Sequence, residues 1–192
     1  MKLAAETPTR TRTRNAILTA ALSVMSQDST ASLGDVAEAA NVARSTLHRY
    51  FPERSDLLEA MSLFASEQLD AATRRARIEE GPAADALVRI FHEYFDQWTN
   101  ITWIYMEGQK AADDSCNDDD PLDPGLTHLI ARGYLDGTID PDIPNAWLQQ
   151  FVWALLYSAW EYVNQGAPKH EALTLAIRSL RKLIAQSPTN GS

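Results

Sequence analysis

Cysteine and long apolar runs are what this sequence has least of. Its 192 residues include one cysteine, Cys116. A single cysteine excludes an intramolecular disulfide and is typical of proteins that remain in a reducing cytoplasm. No apolar run approaches the roughly 20 residues that span a bilayer, and residues 1–14 lack the apolar stretch of a signal peptide. We therefore expect a cytoplasmic protein with no membrane partner.

Motifs for catalysis, metal binding and cofactor binding are also missing. The four histidines are scattered, and there is no H-E-x-x-H, no P-loop and no G-x-G-x-x-G. The aspartates from Asp113 to Asp123 lack the glycine and the terminal glutamate of an EF-hand. Ser179 begins an S-x-x-K, but without its companion motifs. We therefore expect no catalytic residue, no metal and no cofactor, and a chain that is not an enzyme.

Basic residues are in the minority but unevenly placed. Lys and Arg number 17 against 26 Asp and Glu, for a net charge of −9. Residues 1–55 hold seven basic against five acidic residues, whereas residues 56–192 hold ten against twenty-one. Binding to nucleic acid needs a local basic face rather than a basic whole. The first part can therefore bind DNA, with the arginines of residues 10–14 either contacting it or forming a flexible charged arm.

Apolar residues recur at helical spacing along most of the chain. In residues 10–27, Ile17, Leu18 and Ala21 follow the i, i+1, i+4 pattern of one helix face. No useful stretch alternates as a half-buried strand does, so we predict an all-α fold. After a disordered arm at 1–9 and the helix at 10–27, we predict two short helices between 32 and 52, then helices at about 54–79, 83–98, 101–110, 125–135, 145–165 and 169–186, with a break at 99–100.

Residues 32–52 predict two short helices joined by a tight turn. Ser32 and Asp35 form the S-x-x-[DE] pattern of a capping box, which starts a helix. Asn41 stands where the turn needs a positive φ, which asparagine adopts at low cost. Leu47 lies on the inward face of the second helix, and Pro52 ends that helix because proline has no backbone N–H.

The second of these helices has a polar outer face. Its outward residues are Arg44, Ser45, Thr46, His48 and Arg49. A cationic, hydroxyl-rich face suits entry into the major groove of DNA, although a solvated helix face has the same character. Arg44 is the candidate for a bidentate contact to O6 and N7 of guanine.

The other side chains of this region suggest different contacts. Thr46 suits a thymine methyl group or a phosphate, and Ser45 is small enough for a close approach. Arg49, Tyr50 and Arg54 are expected to bind phosphates, which positions the helix without specifying sequence.

Together these features resemble the N-terminal signature of the TetR family of transcriptional regulators. Five blocks match in the family's order and spacing, which favours DNA binding over a solvated helix face. They are Arg14 to Ala21 (R-x-x-I-L-x-A-A), Ser32 to Ala37 (T-x-x-D-I-A), Asn41 to Ala43 (G-V-S), Thr46 to Phe51 (T-L-Y-x-Y-F) and Arg54 to Leu58 (K-x-x-L-L).

Four departures from that signature affect the turn, the cap of the second helix and the expected DNA contacts. Asn41 replaces the usual glycine, and Ala43 replaces a serine, so one cap of the second helix is lost. His48 replaces a tyrosine that touches DNA, and its imidazole can still donate a hydrogen bond with a pH-dependent charge. Arg54 replaces a lysine that meets a phosphate, which arginine also binds well. These changes affect the expected operator sequence more than the fold.

The resemblance implies two domains and a homodimer. Residues 1–54 would form a three-helix DNA-binding helix-turn-helix domain, and residues 55–192 a ligand-binding and dimerisation domain. Two symmetric subunits suit a palindromic double-stranded operator. The last two helices would form a four-helix bundle between subunits. One of their apolar stripes holds Phe151, Val152, Leu155, Leu156 and Ala159. The protein would then be a repressor that a small hydrophobic molecule releases from DNA.

Aromatic residues indicate where such a molecule binds. All five tryptophans lie at or beyond residue 98, outside the predicted DNA-binding part. The residues expected to line a ligand cavity are Tyr94, Trp98, Trp103, Glu107, Trp147, Phe151, Tyr157 and Glu161. Acidic groups inside an aromatic cage favour a cation through charge and cation–π attraction. The same aromatic residues also fit an ordinary helical core, and the acids also fit a solvated surface.

Two alternatives remain open from the sequence. One is a constitutive DNA-binding protein that has no ligand. The other is a helical protein that binds a small hydrophobic molecule and carries a non-functional DNA reader.

Overall fold

A computed structural model describes residues 7–104 and 123–185, and their regular structure is entirely helical. The all-α prediction is therefore confirmed for this part of the chain. The helices are α1 (Pro8–Met25), α2 (Leu33–Ala39), α3 (Arg44–Tyr50), α4 (Arg54–Ala76), α5 (Ala83–Asp96), α6 (98–104), α7 (Pro124–Leu135), α8 (Asn145–Asn164) and α9 (Lys169–Ile184). Within the described ranges, every helix is too short or too polar to cross a membrane.

The described residues form two compact units. The first unit holds residues 7–68 and 99–104, and the second holds residues 69–98 and 123–185. Helix α4 contributes residues to both units. The predicted domain boundary after residue 54 falls at the start of this helix, whereas the contacts divide the chain after Gln68. Glu107, most of the acidic segment 113–124 and residues 1–6 of the arm predicted at 1–9 lie outside the described residues.

The core of the first unit is made where α1 meets the short helices and the first half of α4. Ile17, Leu18 and Leu22 of α1 are buried, together with Leu47 of α3 and Leu57 of α4. Burial of such side chains contributes about 1.5–3 kcal/mol each. The core therefore fixes α3 with its apolar side inward and its polar side outward.

Helix α1 begins earlier than its sequence pattern indicates. It starts at Pro8, and proline is favoured in the first turn because the N–H that it lacks would have no helical partner there. Arg10, Arg12 and Arg14 are therefore helical. Of the two readings of these arginines, the flexible arm is wrong.

The second unit is built around α5, whose buried side chains include Leu87, Ile90 and Phe91. Helices α7, α8 and α9 pack against α5. The predicted break at Thr99-Asn100 is wrong, since α5 ends at Asp96 and both residues lie in α6. Threonine and asparagine are weak helix formers rather than helix breakers.

Helix α4 ends at Ala76, three residues before the predicted end at Glu79. Arg77 adopts a left-handed φ of 46°, which interrupts the helical hydrogen bonds. The carbonyl groups that follow are bound by arginines from two other helices. Arg89 of α5 donates to Ala76 at 2.8 Å, to Arg77 at 2.9 Å and to Glu80 at 2.5 Å.

Arg132 of α7 completes this arrangement from the other side. It donates to the carbonyl groups of Glu79 at 3.2 Å and Gly81 at 2.9 Å, and also to that of Ile78. We call Arg89 and Arg132 the arginine clamp. Together they satisfy carbonyl groups that the end of a helix leaves without partners.

Candidate DNA-binding interface and ligand site

Hydrogen bonds at the start of α2 and a positive φ in the turn between α2 and α3 both agree with the sequence prediction. The Ser32 hydroxyl accepts from the backbone N–H of Asp35 at 3.2 Å, and the Asp35 carboxylate accepts from the N–H of Ser32 at 2.8 Å. These reciprocal bonds confirm the capping box. Asn41 has a φ of 52°, which confirms the predicted positive φ at the turn.

Hydrogen bonds also set the charge state of Asp35. The side-chain hydroxyl of Ser32 and then its backbone N–H lower the pKa of Asp35, because both stabilise the carboxylate. The charge of Arg44 lowers that pKa further. Asp35 is therefore ionised at neutral pH at the start of α2, where the helix dipole favours a negative charge.

Helix α3 presents a polar face to solvent. Arg44, Ser45, His48 and Arg49 are exposed, whereas Leu47 is buried in the first unit. The N-cap residue, Ala43, makes no side-chain hydrogen bond, as the loss of the usual serine predicts. The start of α3 is closed by the backbone instead, since the N–H groups of Thr46 and Leu47 donate to the Ala43 carbonyl at 2.8 Å and 3.1 Å.

A cluster of arginines and aromatic rings lies at the end of α3. The guanidinium groups of Arg10 and Arg49 lie 5.7 Å and 5.8 Å from the centre of the Tyr50 ring. Arg14, one turn after Arg10 on α1, lies 5.9 Å from the centre of the Phe51 ring. The helical spacing of Arg10 and Arg14 could have indicated a shared face, but the sequence did not show which rings they meet.

Arg54 is oriented towards the backbone of its own unit. Its guanidinium donates to the carbonyl groups of Ala31 at 2.5 Å and Ser29 at 2.8 Å. It therefore ties the start of α4 to the segment between α1 and α2. The predicted phosphate contact of Arg54 stays a prediction, and these carbonyl partners were not expected from the sequence.

Aromatic rings of α5 and α6 meet rings of α8 in two groups in the second unit. The Tyr94 and Trp153 rings stack with their centres 5.6 Å apart. The ring of Trp98 lies 6.1 Å from that of Tyr157 and 6.0 Å from that of Trp160. We call these five residues the aromatic cluster. Its members on α8 recur at i, i+4 and i+7, a spacing from which Trp153 and Trp160 could also have been predicted.

Tyr94 also carries the main polar contact of this region. Its hydroxyl donates to the Asp123 carboxylate at 2.7 Å and lies 3.3 Å from the Thr73 hydroxyl. Burial, and then the charge of Asp123, raises the pKa of Tyr94 well above its usual value. Tyr94 therefore remains a neutral donor, and Asp123 also caps α7 by accepting from the N–H of Leu126.

Two polar atoms on α8 are buried without a partner. Gln149 is 5 % exposed, and its amide nitrogen donates to Thr127 at 2.8 Å and to Asn145 at 2.7 Å. Its Oε1 has no hydrogen-bond partner, and neither has Nε1 of Trp153, one turn later. An unpaired buried polar atom costs about 1–3 kcal/mol.

The other predicted ligand residues lie elsewhere. Trp103 is buried in the first unit, and its indole N–H donates to the Ser62 hydroxyl at 3.2 Å. Trp147 is 59 % exposed, and Phe151 is half-buried one turn later. Glu161 is half-buried and accepts from the Gln165 amide at 3.1 Å. Of that set, Trp98 and Tyr157 are in ring contact with each other, whereas Tyr94 meets Trp153 instead. Tyr157 is 59 % exposed.

Comparison with known sequences bears on the whole chain. A sequence model of the family described as bacterial regulatory proteins, tetR family, matches residues 17–61. The HTH-type transcriptional repressor LfrR of Mycolicibacterium smegmatis is 35 % identical over 184 residues, which cover 95 % of this chain and 96 % of that protein. The similarity therefore extends well beyond the helix-turn-helix.

Solved structures agree with this relationship. The TetR-like regulator LfrR from Mycobacterium smegmatis, in complex with proflavine, matches with a TM-score of 0.61 and 33 % identity over 92 % of this chain and 99 % of that chain. The ketosteroid regulator KstR2 of Mycobacterium tuberculosis has a TM-score of 0.67 over 95 % of this chain and 97 % of its own, and at 14 % identity it supports the fold alone. The chain therefore belongs to the tetR family of bacterial regulatory proteins and is a DNA-binding transcriptional regulator.

Proposed function

We propose that this regulator is a homodimeric repressor, acting in the cytoplasm without enzymatic activity, that leaves a palindromic operator when its second unit binds a small hydrophobic cation. The observation that carries the DNA-binding part is the exposed face of α3. Arg44, Ser45, His48 and Arg49 are exposed there on a helix that the buried Leu47 holds in place. In a chain of net charge −9, this cationic face is local.

The residues of this face have separate roles in the proposal. Arg44 and Thr46 read base edges, since arginine matches guanine and a threonine methyl group matches thymine. Arg49, Tyr50 and Arg54 bind phosphates and so position α3 in the major groove. Ser45 and His48 lie on the same outer side and approach the groove with them.

The aromatic cluster supports the effector part of the proposal. Cations bind to aromatic faces, and stacked rings offer flat apolar surfaces to a planar molecule. Proflavine, which is present in a solved structure of LfrR, is a flat aromatic cation. Nε1 of Trp153, which is buried and unpaired, adds a hydrogen-bond donor within this cluster.

An outer face of α8 supports the dimer. The apolar stripe predicted there divides into two sides, because Val152, Leu156 and Ala159 are buried within their own unit. Phe151 and Leu155 are half-buried, and they share a helix side with the 59 % exposed Trp147 and the 40 % exposed Tyr162. Pairing of this outer side across a two-fold axis gives the symmetry that a palindromic operator requires.

Release from DNA requires the effector to favour the shape that does not fit the operator. Helix α4 carries residues of both units, so we propose that it transmits the change from the ligand to α3 and its partner copy. The coupling free energy in such systems is typically about 1–3 kcal/mol. A ligand with equal affinity for both shapes would change nothing.

Selection of duplexes from a random double-stranded DNA pool by the purified protein tests the proposal. We expect an enriched palindrome with half-sites about one helical turn apart or a multiple of it. We expect Arg44→Ala to weaken binding to that palindrome by about 1–3 kcal/mol and to relax the preference at one base pair.

Proflavine then tests the effector part on the selected duplex. We expect proflavine to release the wild-type protein from DNA. The substitutions Trp98→Ala and Trp153→Ala should weaken its binding to the protein and so reduce this release. An enriched palindrome that proflavine and other aromatic cations leave bound would indicate a constitutive DNA-binding protein. Binding of proflavine without any enriched duplex would indicate a ligand-binding protein with a non-functional reader.

A further inference from the structure

Gly34, the second residue of α2, is a glycine that the backbone does not require. It lies within the helix Leu33–Ala39 and does not share the positive φ of Gly81, Gly137 and Gly166. A glycine inside a helix is less stable than an alanine, because its unfolded chain has more freedom to lose. We therefore ask what a side chain at residue 34 would contact.

That space is occupied by the side chain of Arg44. A Cβ atom added to Gly34 would lie 3.0 Å from Nη2, 3.1 Å from Cζ and 3.2 Å from Nε of Arg44. All three distances are shorter than ordinary van der Waals contact, so even a methyl group at residue 34 would require the guanidinium to move by a few tenths of an ångström, and a larger side chain would require more. Arg44 begins α3 and is exposed, yet its charged group lies against α2.

The charge of Asp35 also favours the position of the Arg44 guanidinium beside Gly34. Asp35 follows Gly34 and is ionised by its hydrogen bonds from Ser32. The charge of Arg44 adds to this effect, which places the guanidinium within electrostatic reach of the carboxylate. The open space at Gly34 and the charge of Asp35 therefore both favour this position of the guanidinium.

We propose that Gly34 is a positioning residue for DNA recognition, and that its missing side chain leaves a seat on α2 that holds the Arg44 guanidinium in place for base reading. This role rests on the proposed function. A long, flexible side chain loses conformational freedom when it binds, and holding it beforehand reduces that loss. Helix α2 would therefore influence base preference through the position of Arg44, although no side chain of α2 contacts the bases in this proposal.

A double-mutant cycle tests this role on the duplex that the wild-type protein selects. The variants are Gly34→Ala and Gly34→Leu, each combined with Arg44 and with Arg44→Ala. With Arg44 present, we expect Gly34→Leu to weaken binding about threefold to tenfold, as loss of preorganisation of one side chain predicts. Gly34→Ala should have a smaller effect, since the guanidinium need move only slightly. In the Arg44→Ala background, both substitutions should leave the affinity nearly unchanged.

Stability separates this effect from unfolding. Alanine and leucine form helices better than glycine, so the midpoint of thermal unfolding should stay the same or rise in both variants. Ala39→Leu is the matched control, because residue 39 is exposed at the end of the same helix. It adds nearly the same bulk to α2 and should leave the affinity and the base preference unchanged.

Each other outcome overturns the role of Gly34. An equal loss of affinity in both Arg44 backgrounds would mean that the added side chain meets DNA directly. No loss with Arg44 present would mean that the seat does not matter, and tighter binding would mean that it holds Arg44 away from DNA. If the wild-type protein selects no duplex, the proposed function itself fails, and this role fails with it.

Discussion

The role of Arg54 depends on the backbone groups that it contacts as well as on its charge. Its guanidinium bonds to the carbonyl groups of Ser29 and Ala31, which lie 25 and 23 residues earlier in the chain. Hydrogen bonds from charged groups contribute about 1.5–3 kcal/mol. Arg54 therefore stabilises the segment that leads into the capping box of α2, whether or not it also meets a phosphate.

Substitution of Arg54 separates these two roles. Arg54→Lys keeps a positive charge for phosphate binding but loses the planar fork that reaches two carbonyl groups. We expect it to lower the free energy of unfolding of the first unit by roughly 1–2 kcal/mol and to retain the salt dependence of DNA binding. Arg54→Ala should lower stability as well and reduce the salt slope by about one unit.

Urea unfolding and DNA titrations over a range of salt concentrations measure the two effects. Arg12→Lys, an exposed arginine on α1, is a control for the exchange of residue type. A stability unchanged by Arg54→Lys would contradict the structural role. A loss confined to particular DNA sequences would contradict the phosphate role.

Contacts between residues that are near in sequence could be predicted, and distant ones could not. The Ser32–Asp35 box and the positive φ of Asn41 follow from rules that apply within four residues. The partners of Arg54 and Arg44 depend on how separate helices pack. The sequence offers many exposed arginines and many carbonyl groups, and only the fold selects the pairs.

At the scale of one element, the start of α2 depends on pH. The Ser32 hydroxyl and N–H lower the pKa of Asp35 in the folded state. A depressed pKa stabilises the fold at pH values above the unfolded-state value of about 4, and the contribution is lost as the pH falls through the folded-state value. Asp35→Asn should therefore be less stable than the wild-type protein at pH 7, and the difference should shrink below about pH 4.

Urea unfolding of both proteins between pH 7 and pH 3 checks this expectation. Glu38→Gln removes one negative charge from an exposed position of the same helix and controls for net charge. A difference for Asp35→Asn that stays constant across this range would show that the ionised carboxylate does not support the cap.

The end of α4 depends on the arginine clamp. Arg132→Ala removes the donors to the carbonyl groups of residues 78, 79 and 81. We expect it to lower the free energy of unfolding of the second unit by roughly 1–3 kcal/mol, and Arg132→Lys to restore only part of this, since lysine lacks the fork. Thermal unfolding compared with Arg178→Ala, an exposed arginine of α9, measures the effect. Equal midpoints for both alanine variants would rule out the clamp.

The start of α4 could be predicted from the sequence, whereas its end could not. Apolar spacing locates the helix, and its first residue, Arg54, was predicted correctly. Its last turn is decided by the positive φ of Arg77 and by donors from α5 and α7. Neither feature leaves a local pattern in residues 70–80.

For the whole molecule, the proposed dimer depends on the outer side of α8. Leu155→Glu places a charge within the half-buried outer stripe, and an unpaired charge in an interface is strongly unfavourable. We expect this variant to sediment as a monomer and to lose most of its affinity for a palindromic operator, while it keeps the helical content of the wild-type protein.

Leu135→Glu is the matched control, because Leu135 is 90 % exposed at the end of α7. It adds the same charge and should remain a dimer. A Leu155→Glu variant that still sediments as a dimer would place the interface elsewhere and leave the outer side of α8 without this role.

The fold class and the family could be predicted for the whole chain, whereas the limits of the two units could not. Helical periodicity and the blocks from Arg14 to Leu58 are repeated signals that agree with one another. The division after Gln68 and the assignment of Trp103 to the first unit arise because α6 returns to pack there. This packing depends on contacts between residues distant in sequence, so the local sequence around Trp103 does not indicate which unit the residue joins.

The arginine clamp also has a consequence for tolerance to mutation. Arg89 and Arg132 bind main-chain oxygens of residues 76–81, and every amino acid carries such an oxygen. The exposed side chains of Glu79 and Glu80 are therefore free to vary. Ala76 is not, because it is buried, and Gly81 and Arg77 have positive φ values of 71° and 46°. The two clamp arginines have no such freedom. Mutational scanning should find that Glu79 and Glu80 accept most replacements, whereas Arg89 and Arg132, which bind the main chain of their segment, accept almost none.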